Sequence, residues 1–478
     1  MDEDQTAMDG ENDPQMQRVQ RLSDQLASLR DRSERLTRLI DLACNRRVEQ
    51  RETWPRRIQR DQFPGAQREM TLAPVELLVS RTAAEPVPVV RDEILVPLND
   101  QRRDAARDAL LDLGFTDDFE VADGDEGCED VLRFRRRADT RRTSLALALR
   151  TLAALGLPAS PHHVAALRGD MKSTDGPEYT DQPPSWTGPD GTEGNAAPVV
   201  VVDTGLDPDV RERDDHWLDG MVEGSDLDPL DVFTERTGAV GPDDHLDGGA
   251  GHGTFVAGLV RQAAPRADVV VLRALDTRGV GTECAIARAI RKARDHFSKD
   301  ERGLGVLNLS LGIQTADGLP PFVVEEALRA LPPNVLVIAA AGNTQQDEPI
   351  WPAWSKRALG IGALTRDKDG HLVPAPWSNS GPHVDFSAVG DGVSSTYVRG
   401  RESTVRDDDP EVFPRRDPVQ NESYALWSGT SFSTPKIAGL LAKLLHEHAG
   451  KDDPAASAVK ALRDRGRYLP GYGYVIDI

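Results

Sequence analysis

The segment Gly429-Thr430-Ser431-Phe432-Ser433-Thr434-Pro435 sets a serine hydroxyl between a small-residue turn and a proline. A serine hydroxyl is a weak nucleophile at neutral pH. It needs a neutral imidazole within hydrogen-bonding reach, and that imidazole needs a carboxylate to fix its tautomer and stabilise the imidazolium. Upstream, Val200-Val201-Val202-Asp203-Thr204-Gly205 and Gly251-His252-Gly253-Thr254 offer both groups. The order acid, base, nucleophile is one of three in which this constellation occurs on unrelated folds. Each segment alone has a plainer reading: a strand-end aspartate caps a turn, a histidine among glycines sits in a loop, and Gly-Thr-Ser is common. Their joint occurrence, with Asn343 between His252 and Ser431 in the chain, points to acyl-transfer chemistry.

Such groups need rigid supports. Asp203 ends a run of four valines, which reads as a buried parallel strand delivering a carboxylate at its C-terminal end, where open α/β sheets place their sites. His252 precedes Thr254-Phe255-Val256-Ala257-Gly258-Leu259-Val260, a small and apolar pattern expected of a helix packed closely on the sheet, with the imidazole at its N-terminus. Ser431 is expected to begin a helix with Pro435 in its first turn and Ile437, Ala438, Leu440, Leu441, Leu444 and Leu445 on helical spacing.

At these residues the chain resembles the subtilisin-like serine peptidases (subtilases), from roughly Pro198 to about Gly450. A fourth segment, Val335 to Asn343, resembles the family's strand that ends in the oxyanion-hole asparagine. The resemblance implies that Asp203 orients His252, that His252 shuttles the proton, and that Ser431 is the nucleophile. Asn343 and the Ser431 backbone N–H would bind the oxyanion. It also implies that Ser310, Leu311 and Gly312 bind substrate backbone and form one wall of the pocket for the residue before the cleaved bond, with Ala340, Ala341 and Gly342 as the other wall. Phe432 and Ser433 depart from the family's usual Met and Ala, and Lys436 stands where His is frequent. None is a catalytic group; Phe432 should alter the packing behind the nucleophile and remove an oxidisable thioether.

The interval between Asp203 and His252 is rich in acid, including Asp207, Asp226, Asp228 and Asp247. It reads either as a calcium-binding or substrate-facing loop or as a solvated acidic surface; no ligand spacing such as an EF-hand is present. Structural calcium is a family-based expectation with no assigned ligands, and the chemistry needs no cofactor. The chain of 478 residues carries 79 acidic against 57 basic residues, a net charge of −22, which argues against nonspecific nucleic-acid or membrane binding. No apolar run has transmembrane length, the N-terminus is acidic where a signal sequence is basic, and the three cysteines Cys44, Cys128 and Cys284 fit a reducing compartment without a disulfide framework. The expectation is a cytoplasmic protein acting on protein or peptide substrates.

Ahead of the catalytic segments, Val19, Leu22, Leu26, Leu29, Ser33, Leu36, Ile40 and Ala43 follow a heptad-like spacing. This is either a coiled coil giving self-association or a regulatory partner through residues 16–45, or an amphipathic helix lying on its own domain. Strands at Val75–Val79, Glu93–Pro97, Phe119–Val121, Val131–Phe134 and His163–Leu167, with helices over Asp100–Leu113 and Thr140–Leu155, give after the first strand the ferredoxin-like order β-α-β-β-α-β. Subtilases commonly carry a prodomain of this topology whose C-terminal tail runs through the cleft; the tail here would be Arg168–Asp175, with a maturation site between Arg168 and about Asn195.

The expected fold class is therefore α/β: a subtilisin-like three-layer α/β/α domain with a mainly parallel central sheet, preceded by a smaller α+β ferredoxin-like prodomain and an N-terminal helix. The boundaries are 1–65 for the acidic tail, helix and linker, 66–168 for the prodomain-like domain, 169–195 for a flexible linker and 196–478 for the catalytic domain. Two alternatives to a self-processing endopeptidase stay open: a sensor or effector protease triggered by a partner, and a catalytically silent peptide-binding scaffold.

Overall fold

A computed structural model describes residues 75–478 except 79–85, 120–127, 129, 139–142, 168–176, 185–194, 210–217, 219, 222, 235–238, 241–244, 300–301 and 402–422. The heptad-like helix, the linker before residue 66 and most of the 169–195 segment lie outside the described residues.

The first described elements are β1 (Val75–Leu78), β2 (Val87–Pro97), α1 (Arg103–Asp112), β3 (Phe115–Thr116), β4 (Val131–Arg136), α2 (Leu145–Ala154) and β5 (Ser160–Ala166). Strands β5, β2, β4 and β3 lie side by side in that order, all antiparallel. The second described strand of the motif is Phe115–Thr116; of the strand expected at Phe119–Val121, Glu120 and Val121 lie outside the described residues. Gly114, at φ 90°, reverses the chain straight after α1 and delivers Phe115 into the core, whereas the Phe119 ring lies under the Arg135 guanidinium at 4.3 Å. Helix α2 starts later than Thr140, at a cap where Ser144 Oγ accepts from Leu147 N. Alternation along β2 turns Ile94 and Val96 into a core with Leu110 and Leu152, and turns Leu95 outward against the next domain.

The following elements are β6 (Glu178–Thr180), β7 (Val199–Asp203), the hairpin β8 (Phe233–Thr234) and β9 (Ala239–Val240), α3 (His252–Ala263), β10 (Val269–Arg273), β11 (Val280–Thr282), α4 (Glu283–Phe297), β12 (Gly305–Leu309), β13 (Gly312–Ile313) and α5 (Phe322–Arg329). Then come β14 (Val335–Ala340), β15 (Ala358–Arg366), β16 (Leu372–Pro374), β17 (Val384–Val389), β18 (Val393–Thr396), β19 (Tyr424–Trp427), α6 (Thr430–Glu447), α7 (Pro454–Arg463), β20 (Arg467–Leu469) and β21 (Gly473–Val475). The central sheet runs β10-β7-β12-β14-β15-β17-β21 with all neighbours parallel, and β20 adds antiparallel at the edge.

The valine run explains the layering. Val199 and Val201 pack with Phe255, Leu259, Ile437 and Leu441 of α3 and α6, while Val200 and Val202 pack with Ile286, Ile290, Val324 and Leu328 of α4 and α5. All four valines are fully buried, worth about 1.5–3 kcal/mol each, which makes this strand a firm mount for the aspartate that ends it.

Two features join the domains. Strand β5 pairs antiparallel with both β11 and β13, so one seven-stranded sheet crosses the boundary. Cys128 and Cys284 form a disulfide, which corrects the expectation of cysteines without a disulfide framework: residues 156 apart in sequence, one beside β4 and one in the first turn of α4, meet with their Cα atoms 5.5 Å apart. Sequence spacing carries no information about that proximity.

Candidate active site

Asp203 leaves the end of β7 with its carboxylate fully buried, and His252 Nδ1 lies 2.8 and 2.9 Å from its two oxygens. That geometry makes Nδ1 the protonated nitrogen and leaves Nε2 as the base. Two glycines permit the approach. A Cβ at Gly253 would sit 2.3 Å from the Gly205 carbonyl oxygen, and Gly205, at φ +117°, would place one 2.6 Å from Asp228 N. Helix α3 can thus press directly on the turn after Asp203.

Asp228 was not singled out by sequence reasoning as a site residue. It is fully buried, and one of its oxygens accepts both from Thr204 Oγ1 at 2.9 Å and from Gly251 N at 2.9 Å; the other accepts from Leu230 N. Thr204 Oγ1 in turn accepts from Gly253 N. Asp228 therefore ties Thr204, which follows Asp203, to Gly251, which precedes His252. Burial pushes its carboxyl up to about 6, against the lowering effect of those donors.

Ser431 is half-buried at the second position of α6, where backbone N–H groups have no partner inside the helix. Its hydroxyl donates to the Ser310 carbonyl at 3.2 Å. Helix α6 begins at Thr430, so Pro435 falls in the second turn and not the first. A proline there cannot donate to the carbonyl four residues back, which is that of Ser431. Ser310 Oγ donates to it instead at 2.8 Å, and Asn308 Nδ2 holds Ser310 Oγ at 3.0 Å. Behind the nucleophile, Phe432 packs its ring 5.3 Å from the His252 imidazole, 5.0 Å from Trp427 and 4.7 Å from Phe255.

Asn343 follows the end of β14. Its Oδ1 accepts from Thr430 N at 2.9 Å and Thr430 Oγ1 at 2.8 Å, which turns the amide nitrogen toward the Gly429–Ser431 segment. A Cβ at Gly429 would stand 3.5 Å from that nitrogen. Thr430 Oγ1 also accepts from Gly342 N, so one side chain registers both segments.

Ser310, Leu311 and Gly312 run from β12 into β13, and Ala340, Ala341 and Gly342 leave β14; both segments flank Ser431. Ile350, 1% exposed, stands between them. Its methyl lies 2.7 Å from where a Cβ at Gly312 would be and its Cγ1 3.4 Å from one at Gly342. The groove above is occupied by the chain itself: Ala166 pairs with Val280 and Gly312, Ala165 with Gly281 and Ile313, and Leu167 N donates to the Gly279 carbonyl at 2.8 Å. The residues seated there are Val164–Leu167; Arg168–Asp175, expected to be the inserted tail, lie outside the described residues.

The acidic interval is not simply solvated. Asp207, Asp226, Asp228 and Asp247 are all buried. Asp226 takes the Lys292 ammonium at 2.7 Å and the Arg273 N–H, and Asp247 takes Val232 N–H and the Thr277 hydroxyl. These carboxylates are engaged by protein donors and do not converge on a calcium site. Among the described residues, Asp367, Asp369 and His371 bring ligand atoms within 4.8 Å of one another, in an exposed turn where Asp367 Oδ1 accepts from the backbone N–H groups of the other two. That turn is what an aspartate makes unaided.

Residues 194–463 match the family model described as "Subtilase family". Thermitase of Thermoactinomyces vulgaris is 28% identical over 311 residues, which are 62% of this chain and 90% of that protein. The thermophilic serine proteinase of Bacillus sp. (strain AK1) is 31% identical over 270 residues, 56% of each chain. In fold, the chain is similar to fervidolysin from Fervidobacterium pennivorans, at a TM-score of 0.52 and 19% identity, over 84% of this chain and 62% of that one.

Proposed function

This chain belongs to the subtilase family and is a serine peptidase, and on that footing we propose that it hydrolyses peptide bonds through an acyl-enzyme on Ser431 and is restrained by its own N-terminal domain. The observation that carries the first half is the Asp203–His252 pair at 2.8 Å beside a helix that begins at the Ser431 segment. His252 Nε2 takes the hydroxyl proton as Ser431 attacks, and Asp203 stabilises the imidazolium. The oxyanion is met by Asn343 Nδ2 and the Ser431 N–H. His252 then returns the proton to the leaving amine, and water repeats the sequence to release the acyl group. No cofactor enters these steps.

The second half is supported by the pairing of Val164–Leu167 along β11 and β13. Ala166 pairs with Gly312, two residues after Ser310, whose carbonyl accepts from the Ser431 hydroxyl. The N-terminal domain thus lays its own chain where a substrate strand adds to the sheet edge, and cleavage within 168–195 would be the maturation step. A silent scaffold is disfavoured by the complete set of Asp203, His252, Ser431 and Asn343. A partner-triggered protease remains compatible with an occupied groove.

The test is turnover of a peptide substrate by the mature enzyme and by its Ser431→Ala and His252→Ala variants. Loss on the order of 10⁶ in turnover is expected for either. Equal rates for wild type and Ser431→Ala would remove the mechanism.

A further inference from the structure

We propose that the Cys128–Cys284 disulfide is a covalent latch that keeps the N-terminal domain in the substrate groove after the 168–195 segment has been cut, and that a dithiol reductant opens it. The proposal rests on the reading of that domain as an occupant of the cleft.

The bond joins the two bodies that linker cleavage would otherwise separate. Cys128 precedes β4 of the N-terminal domain, and Cys284 is the second residue of α4, directly after β11. Strand β11 is one of the two edges that hold Val164–Leu167. The latch therefore closes on the element that binds the inhibitory strand. The same contact carries noncovalent bonds: buried Glu283 accepts from His163 N at 2.8 Å and faces His163 Nδ1 at 3.2 Å, Ala316 N donates to His163 Nε2, and Arg291 pairs with Asp130. With the linker intact the domain is tethered twice. With the linker cut and the disulfide intact it is still intramolecular, at an effective concentration of millimolar order. Only when both are broken does rebinding become bimolecular.

The opening step balances. Cys128 is partly exposed and Cys284 is fully buried, so the reductant thiolate attacks the Cys128 sulfur. The Cys284 sulfur leaves as a thiolate and then takes a proton. The second thiol of the reductant attacks its own sulfur in the mixed disulfide and releases the Cys128 thiolate. Two electrons and two protons pass to the protein, and the reductant ends as a disulfide.

The experiment uses the full chain with Ser431→Ala and Cys44→Ser, carrying the recognition sequence of a site-specific endoprotease inserted between Gly188 and Pro189. After cutting, the protein is diluted to nanomolar concentration and passed over a sizing column with and without dithiothreitol. Co-elution without reductant and separation with it are expected, and a further Cys284→Ser change should give separation in both cases. Separation without reductant in the chain that keeps both cysteines, or co-elution that persists after reduction, overturns the latch. This arm needs no activity from the protein, so it fails or succeeds independently of the peptidase reading. In the active enzyme, cut in the 168–195 segment, dithiothreitol should raise peptide turnover about tenfold or more at nanomolar enzyme. Unchanged turnover contradicts the latch, while no turnover in either condition contradicts the peptidase reading.

Discussion

At the scale of single residues, Asp203 and His252, the acid and base of the proposed mechanism, are held by a group that contacts neither of them directly. Asp228 bonds Thr204 and Gly251, the neighbours of Asp203 and His252, and burial lifts its carboxyl to about 6. Its ionised form accepts from its three donors most strongly, without a proton competing for its lone pairs. Turnover should therefore fall as the pH drops through about 6. Asp228→Asn should remove that fall and lower kcat about tenfold with KM unchanged; a fall near pH 6 equal to wild type's would show that Asp228 does not titrate there. Stability runs the other way. Because the folded carboxyl lies above its ordinary value of 3.8, its contribution is fully present below that value and lost as the pH rises through about 6. Asn343 gives a second residue-level prediction. Asn343→Ala should reduce kcat by about 10²–10³, a magnitude established on a subtilisin asparagine and carried over to this position. Asn343→Asp should not restore the rate, because a carboxylate repels the oxyanion; full activity of that variant would exclude the role.

At the scale of elements, the strands and helices around the site follow from patterns that read plainly. The valine run fixes β7, the small apolar run after His252 fixes α3, and the leucine spacing after Pro435 fixes α6. What was not legible depends on approach between distant segments. Position 350 is one isoleucine in a loop until the glycines at 312 and 342 bring backbone to its flanks. Asp228 looks like one acid among many until three backbone and side-chain donors converge on it, and Cys128 and Cys284 give no sign of meeting. The helix start at Thr430 was missed because proline favours a first turn, and the compensating donor, Ser310, comes from another strand. The placement of Ile350 predicts specificity. Its side chain lies against both Gly312 and Gly342, so on the proposed function small side chains should be preferred before the cleaved bond. Ile350→Gly should raise kcat/KM for a phenylalanine at that position by about tenfold relative to alanine, since one filled methylene-scale volume is worth about 1–3 kcal/mol. An unchanged ratio in a panel of otherwise identical peptides would place the selectivity elsewhere.

At the scale of the whole molecule, the N-terminal part and the part matching the subtilase family share a sheet, so under the proposed restraint the stability of the first bears on the activity of the second. Glu93 is fully buried and pairs with Arg133, Arg135 and His162. Although burial opposes it, His162 and the two guanidinium groups hold the Glu93 carboxyl well below the usual carboxylate range. Its contribution to stability is fully present above the ordinary value of 4.5 and declines as the pH falls below it. Glu93→Gln leaves the Arg133 charge without its carboxylate and should destabilise the N-terminal domain by about 3–5 kcal/mol at pH 7, read as lost hydrogen-exchange protection in β2 and β4. Protection equal to wild type would show that the network is not holding the domain. Among the described residues no helix is long and apolar enough to cross a membrane. The central claim is that Ser431 performs the chemistry and that the N-terminal domain is its first substrate. The most direct measurement is the intact mass, after reduction, of wild-type and Ser431→Ala protein followed over time. The account predicts that wild type is cut between residues 168 and 195 while Ser431→Ala stays whole. Cleavage of both at the same rate, or of neither, would contradict it.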